Sequence, residues 1–431
     1  MKASMKIRLA ALALGVAGAA GPAWAKDTLV YREGRGRTLM AVDAQRPDHL
    51  AISGHVSHCK TGQAVHVSAD AASNWALHCL PEVGDWYWMV QTPSVTFDAA
   101  GGLLAAGAVL GDADTSALFV TRSADQGATW DPWRYVASPS STHGGLTDAY
   151  VHVDDRPNSP YRGTTYVTYT AWEEEGAQIR VAVSPNGGSS WQSHKAMPTF
   201  EGPVSPGSLA IGHNGRLNLV YATCSDWDCT AYPASIYFVQ SDDGGASWSL
   251  PVGFLEAGLP AGRGWGNLPG TDVRLKFEPS LAVDNSHGPH RGELYVAVPT
   301  FADGRLVVMT TRSEDGGQHW SDPQPVAPAA GDQFMPKISV NRRGEMAVTW
   351  LDRRNDPQGL RYQPMIAFSA DGGRSFQPPQ LLDDDLTDPR LQTSDLEASA
   401  THAWAGSRVQ AAFLGQGQNP RLTTRVNHAR P

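Results

Sequence analysis

Six copies of one eight-residue pattern, Ser-x-Asp-x-Gly-x-(Ser/Thr)-Trp, constrain this 431-residue chain more than any other feature. The copies at 123–130, 241–248 and 313–320 lie nearest the consensus, the last with His319 for Ser/Thr. The copy at 184–191 has Asn186 for Asp, the one at 369–376 ends in Phe376, and the one at 68–75 has Ala72 where Gly belongs. Their starts lie 55, 61, 57, 72 and 56 residues apart, the signature of a repeat architecture. Chemically the pattern is a hairpin turn. The Asp carboxylate accepts from backbone N–H groups, Gly supplies a positive φ, and the aromatic folds back into the sheet interior. The 44 Gly and 30 Pro are spread along the chain, as turn punctuation between many short strands rather than between long helices.

A second repeat runs with the first. Each unit needs an inner strand, and seven segments qualify: 38–44, 94–99, 150–154, 208–212, 280–284, 337–341 and 399–403. Second strands follow at His49, Gly102, Thr165, Leu217, Glu293, Met346 and Val409. The last unit has a third strand, Leu422-Thr-Thr-Arg-Val, but no fourth. Thr28-Leu-Val-Tyr-Arg supplies it, and that pairing closes a ring without a free edge. The expected fold is an all-β propeller of seven four-stranded blades with three-plus-one closure, six blades being the alternative, in a single domain over residues 26–431.

The repeated turn resembles the Asp-box of the sialidase superfamily of β-propellers, and the likeness spans nearly the whole chain after residue 25. Segments such as Phe277-Glu-Pro-Ser-Leu-Ala-Val-Asp and Trp350-Leu-Asp-Arg-Arg look like those of exported bacterial exo-sialidase-like glycosyl hydrolases. The resemblance implies a glycan-processing propeller in which the box Asp residues are structural. Sialidases are similar to one another in an Arg triad for the substrate carboxylate, an Asp acid–base and a Tyr–Glu nucleophile pair. Their domain is typically six-bladed, and the first Arg lies in an Arg-Ile-Pro-like segment. Here that segment is absent, the N-terminal region offers Arg32, Arg35 and Arg37, and no Tyr is assigned as nucleophile.

Residues 1–25 read as a secretory signal peptide: Lys2, Lys6 and Arg8, an Ala-rich apolar run, then Ala23-Trp24-Ala25. Cleavage removes three positive charges and no negative ones, so the formal charge goes from −9 to −12. A net-acidic exported protein is a poor nucleic-acid or anionic-membrane binder, and no internal run is long enough for membrane insertion. The four cysteines read as two local disulfides, Cys59 with Cys79 and Cys224 with Cys229. The alternative is a metal site with His55 and His58 beside Cys59, but no full ligand set of zinc-like spacing is present. No metal or cofactor is called for, and a monomer is the default.

In a propeller the repeated turns occupy one face, and function collects on the other, where each inner strand begins. The positions leading into those strands are Arg37, Thr92, Asp148, Ser205, Glu278, Met335 and Glu397, with Lys337 close by. Glu278, Asp148 and Glu397 are the candidate catalytic carboxylates, one desolvated and one solvated across a channel as acid–base glycoside hydrolysis requires. Glu278 before Pro279 also fits a plain strand cap. Arg37, Lys337 and one of Arg353 and Arg354 are candidates for holding an anionic substituent. Trp88 and Trp265 are candidate stacking platforms for sugar rings. Three functions fit: a glycoside hydrolase acting on a glycan, a polysaccharide lyase using His58 or His143 as base, and a non-catalytic glycan- or protein-binding propeller.

Overall fold

The structure is a computed structural model that describes residues 28–31, 37–84, 87–89, 91–111, 116–139, 144–225, 229, 233–262, 264–391, 400–416 and 423–431, with the backbone alone at 31, 87, 88 and 423. The leader at 1–25, Arg32, Arg35, His143 and Glu397 lie outside the described residues, as does the Trp88 side chain. Seven antiparallel sheets make up the described fold. Their inner strands are Leu39–Val42 (blade 1), Ser94–Phe97 (blade 2), Gly145–Val153 (blade 3), Ser208–Ile211 (blade 4), Ser280–Val283 (blade 5), Gln333–Val340 (blade 6) and Ala400–Ala405 (blade 7). The ring closes as three plus one. Thr28–Tyr31 is the outer strand of blade 7, pairing Thr28 with Val426 and Leu29 with Arg425.

All six repeated turns have one geometry, the degenerate ones included. At 123–130 the Ser123 hydroxyl donates to Asp125 Oδ1 (2.8 Å) and accepts from the Gly127 N–H (2.7 Å), while Asp125 Oδ1 accepts from the Thr129 N–H (2.8 Å). The same three bonds recur around Asp70, Asn186, Asp243, Asp315 and Asp371. Where Gly is replaced, Ala72 itself adopts φ 73°. At Gly317 the requirement is double: φ is 92°, and a Cβ there would sit 2.1 Å from the Phe238 ring of blade 4.

The motif aromatic seals each blade to the one before it. Trp75 packs with the blade 7/1 cluster, Trp130 with 1/2, Trp191 with 2/3, Trp248 with 3/4, Trp320 with 4/5 and Phe376 with 5/6. Trp320, for example, stacks on Phe254 at 4.1 Å between centroids. Blade 7 has no such turn, and at its junction with blade 6 Trp404 packs against the core instead. Near the axis, serines at inner-strand starts stitch blades together. Ser94, Ser208 and Ser280 accept from the N–H of Val151, Leu281 and Ile338 in the next inner strands, at 2.7, 3.0 and 3.1 Å.

Three inner strands depart from the expected short form, and the departures position the site. In blade 2 the ladder along Leu103–Gly111 is interrupted before Ser94 and resumes with Tyr87–Met89; Pro93, without an N–H, sits at the break. In blades 3 and 6 the strand runs longer and bulges, between Thr147 and Tyr150 and between Phe334 and Lys337. Asp148 (φ 59°) and Met335 (φ 56°) occupy left-handed positions in those bulges. Bulges re-aim side chains, and these two lie at the same end of the channel.

The turn carboxylates generate a pH prediction. Hydrogen bonds from Thr129 and Ser247 hold Asp125 and Asp243 at about 2, and His319 does the same for Asp315. At Asp371 burial works upward but is outweighed by Ser375, again giving about 2. Depressed carboxylates contribute stability above their unfolded value of about 3.8, lost as pH falls through the folded value. The melting temperature should therefore hold from neutrality to about pH 4 and fall between about pH 4 and 2. Replacing Asp125, Asp243, Asp315 and Asp371 together by Asn should flatten that fall, as read by circular dichroism. An equal slope in both proteins would remove the turns as its cause.

Candidate functional site

Four of the side chains singled out in the sequence meet at the channel end opposite the repeated turns. Arg37 enters from the lead into blade 1, Asp148 from the blade 3 bulge, Glu278 from the lead into blade 5 and Lys337 from the blade 6 bulge. Arg37 is 1 %, Asp148 5 % and Glu278 6 % exposed. The Arg37 guanidinium donates to Asp148 Oδ1, and the same Nη2 lies 3.8 Å from Glu278 Oε1. Lys337 Nζ donates to Glu278 Oε2 at 3.0 Å. The expectation of one buried and one solvated carboxylate is not met: both are buried, because each has cations at hand to offset its desolvation.

Four further residues complete the cluster. Lys276 Nζ donates to Asp148 Oδ1. Tyr150 Oη donates to Glu278 Oε1 at 3.3 Å, and its ring lies under the Arg37 guanidinium, 5.2 Å from Cζ to centroid. Gln91 grips Asp148 twice, accepting from its N–H (2.8 Å) and donating to Oδ1 (3.2 Å). The Thr147 hydroxyl donates to Asp148 Oδ2 at 3.0 Å and accepts from Trp172 Nε1 at 3.0 Å. The signal for Lys276 was period two: it precedes Glu278 by two in an extended lead that Pro279 enforces. Tyr150 follows Asp148 by two but across a bulge, where simple alternation is no guide.

The electrostatics have a definite sign. Burial alone would raise Asp148, but Lys276 and Arg37 outweigh it and hold the carboxyl well below its usual range. Glu278 is also lowered: burial and the Asp148 charge work upward, and Lys337, Arg37 and Lys276 more than offset them. Both are carboxylates at neutral pH, proton acceptors rather than donors. Three cations surround two anions, and Lys276 and Lys337, with side chains 16 % and 21 % exposed, occupy the open side.

The other candidates lie elsewhere. Arg353, buried, gives Nη1 to the Pro269 carbonyl (2.6 Å) and to Asp332 (3.1 Å) and stands over Phe334. Arg354 gives Nη2 to Asp352 (2.7 Å) and the Ala327 carbonyl (3.0 Å). Neither guanidinium joins the cluster at the mouth: Arg353 is engaged by groups of two other loops, and Arg354 by Asp352 of its own loop and the Ala327 carbonyl. Trp265 stacks on Phe277 at 5.4 Å and packs into the blade 4/5 core, so that ring face is already covered. Ser205 accepts from the Ala222 N–H, and Met335 joins the blade 6/7 core. Cys59 is bonded to Cys79 and Cys224 to Cys229, as expected, so no thiolate is left beside His58 for a metal.

No protein-family model and no curated protein matches the chain. Among solved structures, one similar chain is a Dyadobacter fermentans protein of unknown function, 18% identical, covering 79% of this chain and 94% of its own, with a TM-score of 0.51. The intramolecular trans-sialidase of Ruminococcus gnavus is 12% identical over 77% of this chain and 92% of its own, at 0.51. An α-L-arabinofuranosidase from Fusarium graminearum is 12% identical over 80% and 98%, at 0.52. At these identities the likeness is one of fold, and the fold is the propeller expected from the repeats.

Removing one partner of a buried ion pair leaves an uncompensated charge, at a cost of about 3–5 kcal/mol. Asp148→Asn should destabilise the protein by about 3 kcal/mol in urea unfolding. A change below about 1 kcal/mol would mean that the cluster is far more hydrated than its burial indicates.

Proposed function

We propose that the protein is an exported glycoside hydrolase of sialidase type, acting on an anionic glycan at the mouth formed by Arg37, Asp148, Tyr150, Lys276, Glu278 and Lys337. The observation that carries this reading is the 3.3 Å hydrogen bond from Tyr150 to Glu278, set among three cations. A hydroxyl that donates to an ionised carboxylate is a nucleophile with its base in place. Glu278 takes the phenolic proton as Tyr150 Oη bonds to the anomeric carbon, and the bond from that carbon to the leaving oxygen breaks. The leaving oxygen takes a proton from Asp148. Without substrate Asp148 carries none, since Lys276 and Arg37 keep it ionised. A substrate carboxylate or sulfate competes for those cations, and each one drawn off raises the proton affinity of Asp148. The anion therefore anchors the substrate and lets Asp148 take up from solvent the proton that it then donates to the leaving oxygen. Water then attacks the glycosyl–tyrosyl bond with Asp148 taking its proton, and Tyr150 recovers its own from Glu278.

Two further observations support the reading. The Ruminococcus gnavus and Fusarium graminearum proteins carry glycosidic-bond chemistry on a similar fold. Two disulfides suit an oxidising compartment, in keeping with the leader pattern, and no helix among the described residues is long and apolar enough to cross a membrane. A second reading, a binding propeller for anionic glycans, is favoured by one observation: in the unliganded site neither carboxylate holds a proton to donate.

Purified protein incubated with sialylated, uronate-containing, sulfated and neutral glycans distinguishes the two. Release of new reducing ends from anionic substrates alone is expected, with Tyr150→Phe and Glu278→Gln each lowering turnover at least ~100-fold. Binding without turnover would favour the second reading. Ultraviolet absorbance of an unsaturated uronate rising with the new ends would replace hydrolysis by elimination.

A further inference from the structure

The other end of the channel is open. A cavity of about 620 Å³ lies among the far ends of the inner strands and the turns that follow them, within the ~300–1,000 Å³ range of small-molecule sites. Its wall is apolar, from Leu209, Ile211, Leu281, Val283, Ile338 and Val340. Its rim is cationic. Four consecutive blades each contribute at their first turn: Arg156 from blade 3, His213 from blade 4, His287 and Arg291 from blade 5, and Arg342 from blade 6.

Among the described residues of this lining Asp155 is the one acidic residue, and it is paired with Arg156 at 3.4 Å. Asp154 and Asp284 are buried beside the turns, where Asp154 accepts from Ser159 and the Arg156 N–H and Asp284 from the Ser286 N–H. Glu293 accepts from His290 and Tyr295, and Arg342 donates to the Ala44 carbonyl. Among the described residues, no carboxylate pairs with Arg291, His213 or His287. These three act on one another instead: burial, Arg291 and His287 all lower His213. Deeper in, His152 lines the cavity, with Nε2 buried and without a hydrogen-bond partner among the described residues. The chain has 43 Asp and Glu against 34 Lys and Arg. In so acidic a protein, a rim where cations repel one another is an electrostatic cost that an anionic ligand reverses.

We infer that this cavity is a second binding site, separate from the Tyr150–Glu278 mouth, taking a sugar or small acid that bears a tetrahedral oxyanion, with Arg291, His213 and His287 as the anchoring donors. Sulfate and phosphate monoesters share that chemistry. Donors from two blades surround a compact multivalent oxyanion, and the apolar wall below accommodates the body that carries it. Binding favours the protonated imidazole, so affinity rises as pH falls through the histidine range.

The test is calorimetric titration of the full chain with glucose 6-sulfate, glucose 6-phosphate, glucuronate and glucose at fixed ionic strength. Saturable one-site binding of the sulfate ester is expected, at least tenfold tighter at pH 5.5 than at 7.5, with glucose silent. The phosphate ester decides between the two sources, binding comparably if charge and shape suffice and more weakly if the site is sulfate-selective. Arg291→Gln should weaken binding at least tenfold, and His213→Gln with His287→Gln should flatten the pH dependence. Lys337→Met, at the opposite mouth, should leave the affinity within twofold. All variants sit on turns or at the mouth, and an unchanged melting temperature for Arg291→Gln confirms that it folds. Absence of saturable binding, unaltered binding by folded Arg291→Gln, or loss in Lys337→Met alone would overturn the inference. None of these results bears on whether Tyr150 and Glu278 support turnover.

Discussion

Each blade of this ring depends on an aromatic side chain supplied by the blade that follows. Sheets stacked radially need a flat seal between neighbouring faces, and the repeated turn provides it by folding Trp or Phe back from the third strand onto the preceding blade. The turn's shared hydrogen bonds are few, and one of the three is exposed. Their contribution is to fix the direction in which a large ring points, and the buried area of that ring supplies the stabilisation. The glycine at Gly317 belongs to the same device, since a side chain there would prevent the approach to Phe238. Without the closing strand Thr28–Tyr31 the last sheet would present an open edge.

That architecture explains why charged side chains gather where they do. Inner strands converge toward the axis, so residues leading into them come from distant parts of the chain to one place. Arg37, Asp148 and Glu278 are separated by more than a hundred residues at each step yet share one guanidinium. Buried charges of this kind are tolerated because each has a counter-charge, and the excess cation is left on the side that faces solvent through Lys276 and Lys337. The bulges in blades 3 and 6 are part of the same arrangement. A regular strand would send Asp148 into the sheet interior, whereas a left-handed residue in the bulge turns it to the axis.

Much of this was legible in the sequence, and the boundary of what was legible is physical. The repeats set the blades, the missing fourth strand of the last unit identified Thr28–Tyr31, and topology alone placed Arg37, Asp148, Glu278 and Lys337 at one mouth. Local competition was harder to read. Arg353-Arg354 looked like a substrate clamp because a tandem of arginines carries no record of its neighbours; Asp332 lies in another loop and captures the first, while Asp352 captures the second. For Trp265 the unread partner is Phe277, whose stacking across one ring face no spacing in the sequence announces. Tyr150 read as an ordinary strand residue, since a bulge cannot be inferred from alternation. The cationic rim at the far end was invisible, as His213, His287 and Arg291 each sit in an unremarkable turn.

The two ends of the channel differ in the way charge is balanced. At the mouth, carboxylates and cations are interleaved, and the acidic partners are held ionised by their neighbours. An incoming anion there must displace a carboxylate from its cations, so binding and a change in proton affinity are one event. At the far end, Arg291, His213 and His287 have no carboxylate partner among the described residues, and binding to them relieves repulsion without rearranging a network. The first arrangement suits chemistry, because it couples recognition to a proton. The second suits retention, because its only switch is the protonation of imidazoles. On the two proposals, the net-acidic protein offers anionic ligands two sites of different response, built from the two ends of the same inner strands.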